Sequence, residues 1–449
     1  VSVEAVKAQS DRGVVMSLLS KKFTAFAVIS ALSFGLAIPA SSAEKPAALG
    51  VGVFSFTSGA TAAYGVPGRN AAELMIEMIN ADGGIGGVPL KANYVDEGQG
   101  TEGVITEFRK LAGDQANGAM IAALSSGNCM ALAPVVDELK IPTVGWNCDT
   151  HQLFLKAPHP YYFRPNGNTV PEFLAYAFYM LSLKPDVKTV AIINPDYAFG
   201  HDAANIFKAA LKTFKPDVEV VAELFPKLGS ATFQTEISRL TAARPDVIFS
   251  NLWGGDLENF IRQASPRGLF RSSQMIFALG ESSLQNVNMP EGVIVGVLGD
   301  GWWLSPDATA NPEMKKFADA YHAKFGSYPV FPAMKMANSF VYMKQAYETA
   351  MRKNGGSWPN REEVASAMRG SVVKTFTGTT TTREDNDGIV DQIVGTTVKS
   401  ADYKFPILGN MARYDGKALM PPVGQDPIAW ISTLPKDLAT SQPKPGSYK

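Results

Sequence analysis

The chain predicts an α/β protein of two similar lobes, each with a parallel sheet. Short apolar segments rich in Val, Ile and Ala alternate with longer helical patterns, as they do where strands of a parallel sheet are joined by crossover helices. A strand, loop and helix arrangement also appears twice. Phe54 to Ala81 passes through Tyr64-Gly65 into a helix, and Val187 to Phe214 passes through Asp196-Tyr-Ala-Phe-Gly200 into another. About 400 residues follow Glu44, enough for two or three domains and a large core.

In the first lobe, Leu49 to Phe56 reads as the opening strand. Pro67 to Ala81 reads as the first helix, because Ala71, Leu74, Met75, Met78 and Ile79 share a face, and Gly83-Gly84 stops it. A strand (Val88 to Val95), a helix (Glu102 to Asn117), a strand (Gly118 to Leu124), a helix (Cys129 to Leu139) and a strand (Ile141 to Trp146) follow. The second lobe opens with a strand at Val187 to Asn194 and a helix at His201 to Phe214. Strands at Val218 to Leu224, Val247 to Asn251, Met275 to Leu279 and Gly292 to Leu298 continue it, with helices between. From Asn311 the pattern is helical (Pro312 to Phe325, Ala333 to Met351), then Thr-rich and strand-like from Val372 to Val398. Late helices followed by late strands imply that the chain returns to each lobe in turn. In open α/β sheets the loops leaving the strand ends carry the ligand site.

Ahead of this pattern, Ser20 to Ala43 reads as a secretory signal. Lys21-Lys22 form the basic n-region, Phe23 to Ile38 the apolar stretch, and Pro39-Ala-Ser-Ser-Ala43 a small-residue cleavage site. A membrane anchor is the alternative, but the run falls short of the roughly 20 apolar residues of a span and is interrupted by Thr24, Ser30, Ser33 and Gly35. Glu44 follows the proposed cut in place of a lipid-accepting Cys. The expected location is therefore the periplasm, as a soluble chain and not a lipoprotein. Met16 stands where a signal would begin, and Val1 to Val15 are expected to lie outside the translated protein.

Composition narrows the partner. The 41 Lys+Arg and 42 Asp+Glu nearly cancel, and no basic block stands out, so nucleic acid and anionic membrane surfaces are disfavoured. A small molecule is the expected partner. Enzyme signatures are missing: the histidines form no HExxH, and there is no GxSxG elbow or P-loop. Gly83-Gly-Ile-Gly-Gly87 follows a helix and reads as a stop and turn, not a phosphate loop. Cys148-Asp-Thr-His151 lacks a second ligand pair, so neither metal nor cofactor is expected. Two cysteines, Cys129 and Cys148, are too few for a disulfide scaffold, yet an oxidising compartment would allow them to pair.

Asn80-Ala-Asp-Gly-Gly-Ile-Gly-Gly-Val-Pro-Leu90 with Asp96, Leu124-Ser-Ser-Gly127, Ile141-Pro-Thr-Val-Gly145, Phe163-Arg164, the 196–200 loop, Asn251-Leu-Trp-Gly-Gly255 and Gly280-Glu281 together resemble the type I periplasmic binding proteins of ABC importers, in the Leu/Ile/Val-binding branch. The resemblance spans nearly the whole chain after Glu44. It implies two Rossmann-like lobes joined by a three-strand hinge near Pro165, Asp300 and Thr375, closing on a ligand. The lobes would comprise residues 44–165 with 301–375, and 166–300 with 376–449, the latter including a C-terminal tail; residues 1–43 stand apart.

The family's site carries over position by position. Ser126, with Gly127 beside it, stands where a hydroxyl holds the ligand carboxylate at a helix N-terminus, a position that favours anions; an ordinary N-cap would look the same. Asn147 and Asp149 fall around the ligand's head group. Asp149 departs from the pattern, and Asp149-Thr-His-Gln152 also reads as a capping box facing away. Glu281 matches the ammonium-binding carboxylate, the alternative being a surface acid. Tyr64, Tyr197, Phe199 and Trp253 match the aromatic walls, although aromatic residues also serve as plain core. The implied function is delivery of an amino acid or related amine to ABC permease subunits by a monomeric receptor without catalysis. A ligand sensor for a signalling partner, or a receptor for amides, urea-like or aromatic acid solutes, are the alternatives. If Asp149 faces inward, an amide-bearing or additionally cationic ligand fits better than an aliphatic amino acid.

Osmotic shock should release a soluble chain beginning at or near Glu44; an intact N-terminus retained in the membrane fraction would overturn the leader assignment. Cys129 and Cys148 are expected to be bridged, stabilising by roughly 3 kcal/mol in the chain-entropy model. Two reactive thiols per unreduced, unfolded chain would exclude the bridge.

Overall fold

A computed structural model describes residues 44–114 and 117–449. The leader assignment, with Met16 and Val1 to Val15, lies outside the described residues. Strand β1 (Leu49–Ser55) is buried along its whole length, as a central parallel strand covered on both faces must be. It pairs in parallel with β2 (Leu90–Asp96) and β3 (Asn117–Ile121), and β4 (Thr143–Val144) and β5 (Tyr162–Phe163) complete a five-stranded sheet ordered β2-β1-β3-β4-β5.

The second sheet is assembled from two stretches of chain. Its parallel part is β6 (Thr189–Ile193), β7 (Glu219–Leu224), β8 (Val247–Ser250), β9 (Gln274–Phe277) and β10 (Ile294–Gly296). Between the two stretches come the helices Pro312–Phe325, Phe331–Lys353 and Arg361–Met368, then a small antiparallel ribbon of β11 (Val372–Lys374), β12 (Thr379–Thr382) and β13 (Gly388–Ile389). Strands β14 (Gln392–Val398) and β15 (Ile407–Tyr414) then add antiparallel to β10, giving the order β15-β14-β10-β9-β8-β6-β7. Helices Pro312–Phe325 and Phe331–Lys353 pack on helix Ala62–Ala81 beside the first sheet, while β14 and β15 extend the second.

Several elements differ from the sequence reading. The first helix begins at Ala62, with Pro67 inside it, because buried Tyr64 and Gly65 extend it upstream of the proline that reads as a start. Helix Thr169–Leu183 escapes the reading altogether. Every residue from Thr169 to Met180 is buried, so the segment shows no amphipathic period. Strands β5 and β15 and helix Arg361–Met368 are likewise unread, and β4 is only two residues long.

The crossings between the sheets are fastened to one another. Arg164 follows β5, and its Nε and Nη2 donate to the two carboxylate oxygens of Asp387, each at 2.8 Å, while Nη1 donates to the carbonyls of Cys148 (2.8 Å) and Thr150. Asn168 Nδ2 donates to the same Asp387 at 2.6 Å. Alongside, Thr380 Oγ1 donates to the Pro165 carbonyl at 2.9 Å, and Thr377 Oγ1 to Asp300 at 3.1 Å. Both members of the Arg164 pair are buried. Removing one would strand the other charge in a dry interior, so Arg164→Met should lower unfolding free energy by about 3–5 kcal/mol, and the matched Arg164→Met/Asp387→Leu variant by less. Denaturant titration of both variants measures the difference; a loss under about 1 kcal/mol in the single variant would show that the pair is dispensable.

Candidate functional site

The carboxyl ends of the two sheets face a common cavity. Its walls are Tyr64, beyond β1; Leu124 and Ser126, beyond β3; Asn147 and Asp149, beyond β4; Tyr197 and Phe199, beyond β6; Trp253, beyond β8; and Leu279, beyond β9. That is where open parallel sheets bind ligands. About 10 Å³ of space remains within it, room for about one water, so the lobes stand closed. A larger groove, about 660 Å³, lies at the opposite end of the first sheet near Leu49 and Gly118, lined among others by Tyr347, Trp358 and Arg361. Strand direction, not size, makes the first cavity the candidate site.

The first-lobe half is built around the start of helix Ser126–Leu139. Ser125, not Ser126, is the N-cap: its Oγ accepts from the Asn128 amide at 3.1 Å. Ser126 Oγ instead accepts from the Thr150 amide at 3.3 Å and fronts the cavity. Ser126 and Gly127 carry first-turn amides that a helix leaves without an internal partner. Gly127 itself is not among the lining residues. Beneath this turn, buried Glu97 accepts from the amides of Leu124 (2.6 Å) and Ser125 (3.4 Å) and from Asn128 Nδ2 (2.8 Å). Burial pushes its carboxyl up to about 7 against those hydrogen bonds. Cys129, in the first turn of the helix, is bridged to Cys148, with Cα atoms 6.0 Å apart, which ties the Ser126 turn to the loop carrying Asn147 and Asp149.

Asp149 does not cap a helix. The short helix Gln152–Leu155 has its Gln152 amide satisfied by Thr150 Oγ1 at 3.2 Å, whereas the Asp149 carboxylate accepts from Lys335 Nζ at 2.9 Å. The capping-box reading fails because Arg164 draws the Cys148 and Thr150 carbonyls toward the crossing and leaves the side chain between them to face the cleft. Glu172 lies 3.7 Å from the same ammonium, fully buried, with neither oxygen hydrogen-bonded among the described residues. Burial, reinforced by the charge of Asp149, holds the Glu172 carboxyl well above the usual range.

The aromatic walls meet across the cleft. Tyr64 packs edge-on against Trp253 at 5.3 Å and Phe331 at 5.4 Å, and its hydroxyl donates to Asn147 Oδ1 at 3.1 Å. Burial raises the Tyr64 hydroxyl well above its ordinary range, so it stays a donor. Trp253 Nε1 donates to Tyr197 Oη at 3.2 Å. Glu281 is placed elsewhere. It does not line the cavity; its carboxylate accepts from the Phe331 amide at 2.7 Å, at the start of helix Phe331–Lys353, and burial pushes it up to about 8.

Sequence reasoning missed Glu97, Glu172 and Lys335. A usable signal was present for the last two, since each is a lone charge within an apolar run, Val170-Pro-Glu-Phe-Leu174 and Phe331-Pro-Ala-Met-Lys-Met-Ala337. Among the described residues no three His, Cys, Asp or Glu side chains form a group able to hold a metal, and no helix is long and apolar enough to cross a membrane.

Similarity to known proteins agrees with this layout. The chain is 24% identical over 361 residues to Leu/Ile/Val-binding protein homolog 3 of Brucella melitensis biotype 1, covering 80% of this chain and 94% of that one. It is 26% identical over 338 residues to the Leu/Ile/Val-binding protein BraC3 of Rhizobium johnstonii, covering 75% and 88%. Among solved structures, a solute binding protein of an ABC transporter from Rhodopseudomonas palustris BisB5 in complex with 3,4-dihydroxybenzoic acid superposes with a TM-score of 0.70 at 21% identity, covering 84% of this chain and 99% of that one. The branched-chain amino acid transporter substrate binding protein LivJ of Streptococcus pneumoniae, in complex with isoleucine, gives 0.67 at 20%, covering 78% and 96%. The family model described as periplasmic binding protein matches residues 48–402. With two parallel sheets that present their carboxyl ends to one cleft, this chain belongs to the periplasmic binding protein family.

Proposed function

We propose that this protein is a periplasmic receptor that closes on an amino acid or a related amine-containing solute and delivers it to the permease of an ABC transporter. The observation that carries this reading is the pairing of opposite chemistries in one cavity: the Asp149 carboxylate beside the Ser126 turn, with Tyr64, Tyr197, Phe199 and Trp253 around them. A zwitterion would set its carboxylate against the Ser126 hydroxyl and the helix N-terminus and its ammonium toward Asp149. Glu281, pushed up to about 8, is largely protonated near neutral pH and committed to a main-chain amide, so in this reading it supports the wall and is not the ammonium partner. The residues come from both lobes, so binding and closure are one event, and the reading needs no catalytic group.

The aromatic walls also favour a second reading, a benzoate-type acid, which a structural neighbour binds. Calorimetry with amino acids, amides, polyamines and hydroxybenzoates separates the two. Zwitterionic amino acids should bind, and Trp253→Ala should weaken them by about 2 kcal/mol or more, as loss of a buried aromatic anchor does. Glu281→Gln should leave affinity nearly unchanged. Binding confined to amine-free acids would transfer the assignment to the aromatic reading.

A further inference from the structure

Neither Lys335 nor Glu172 lines the cavity, yet both stand beside Asp149. Lys335 is 3% exposed, in the second turn of helix Phe331–Lys353, with its ammonium 5.9 Å from the centre of the Phe331 ring. Asp149 reaches it from the first-lobe loop after β4, and Glu172 from helix Thr169–Leu183, which packs on β14 of the second sheet. The nearby guanidinium of Arg164 is committed to Asp387 and to two carbonyls. That leaves one cation for two carboxyl groups.

The distances settle how they share it. Asp149 holds Lys335 in a hydrogen-bonded pair at 2.9 Å, whereas Glu172 at 3.7 Å has no hydrogen bond to either oxygen. An ionised carboxylate left so in a dry site is very costly, so Glu172 is kept neutral. The cleft then carries one internally balanced ion pair. A zwitterion adds no net charge to it. A solute of net positive charge would bring a charge that neither the Lys335–Asp149 pair nor a carboxylate of its own balances.

We propose that Lys335 is the positioning residue that sets the charge class of the solute: by neutralising Asp149 from behind, it makes the cleft accept net-neutral zwitterions and refuse net cations. This rests on the amino acid reading above, and it reverses the expectation that an inward Asp149 favours an additionally cationic ligand. Glu172, kept neutral, leaves the charge balance of the cleft to Lys335 and Asp149 alone.

The test measures leucine, arginine, putrescine and benzoate binding by calorimetry on the full mature chain, in wild type, Lys335→Met, Lys335→Arg and Asp149→Asn. Lys335→Met should shift the preference for arginine or putrescine over leucine by at least about tenfold, and Lys335→Arg should retain the wild-type order. Asp149→Asn, which leaves the ammonium unpaired, should shift preference toward benzoate. A folded Lys335→Met protein, judged by circular dichroism, that gains nothing for cations overturns the proposal. If that variant does not fold, Asp149→Asn decides, and an unchanged order overturns it. A wild type that prefers arginine or putrescine to leucine also overturns the proposal, whereas a wild type that binds benzoate and no amino acid, with cation binding gained in Lys335→Met, counts against the amino acid reading alone.

Discussion

The buried pair between Arg164 and Asp387 is the contact on which the rest of the cleft depends. One guanidinium fastens the crossing after β5 to the ribbon that leads back to β14, and its remaining nitrogen draws in the Cys148 and Thr150 carbonyls. The loop after β4 is thereby fixed on both sides of Asp149, which is why that side chain faces the cleft and not a helix terminus. A planar, permanently charged fork with five donors suits this task, and lysine could not reproduce the bidentate geometry. Burying such a pair is tolerated when most of its hydrogen-bonding capacity is used, as it is here with four of the five donors on one carboxylate and two carbonyls.

A second layer makes the first-lobe half of the site rigid before any solute arrives. Glu97 occupies the underside of the Leu124 to Asn128 turn, and the Cys129–Cys148 bridge joins that turn to the next loop. Ser126 and Asp149 are therefore held at a set separation by covalent and hydrogen-bonded links on the same lobe. The second lobe contributes mainly surfaces, Tyr197, Phe199, Trp253 and Leu279, which confer shape more than charge. In the proposed reading, polar recognition would reside on one lobe and apolar closure on the other.

The division between what was legible in sequence and what was not follows from this design. Strands such as β1 and β8 are short apolar runs bounded by turns, and the positions just past them can be read because strand ends carry the loops of such sheets. The family resemblance, not the strand pattern, singles out Tyr64, Ser126, Asn147 and Trp253, and all four line the cavity. Helix Thr169–Leu183 could not, since burial on all sides erases its period. The Lys335–Asp149 pair spans 186 residues of sequence, and nothing local to either residue names its partner. Glu281 shows the converse. Its place in the order of motifs matches the family's ligand contact, yet its carboxylate accepts from the Phe331 amide and does not line the cavity.

Closure itself is supported by contacts between the lobes that involve no solute. The Gly255 amide donates to the Ala60 carbonyl at 3.1 Å, Thr150 Oγ1 donates to Asp202 at 2.5 Å, and Gln285 exchanges two hydrogen bonds with the main chain of Tyr328. A Cβ at Gly255 would come within 3.1 Å of the Ala60 oxygen, so a larger residue there would crowd the contact between lobes, and glycine is favoured by proximity and not by its backbone angle. Each such bond is worth about 0.5–1.5 kcal/mol net of the water it replaces. Such bonds lower the cost of closing, and a solute shifts the balance between open and closed forms only by the free energy it gains from both lobes together. Selectivity in such a receptor lies less in how tightly one wall binds than in whether the solute lets both walls meet without leaving a charge unpaired.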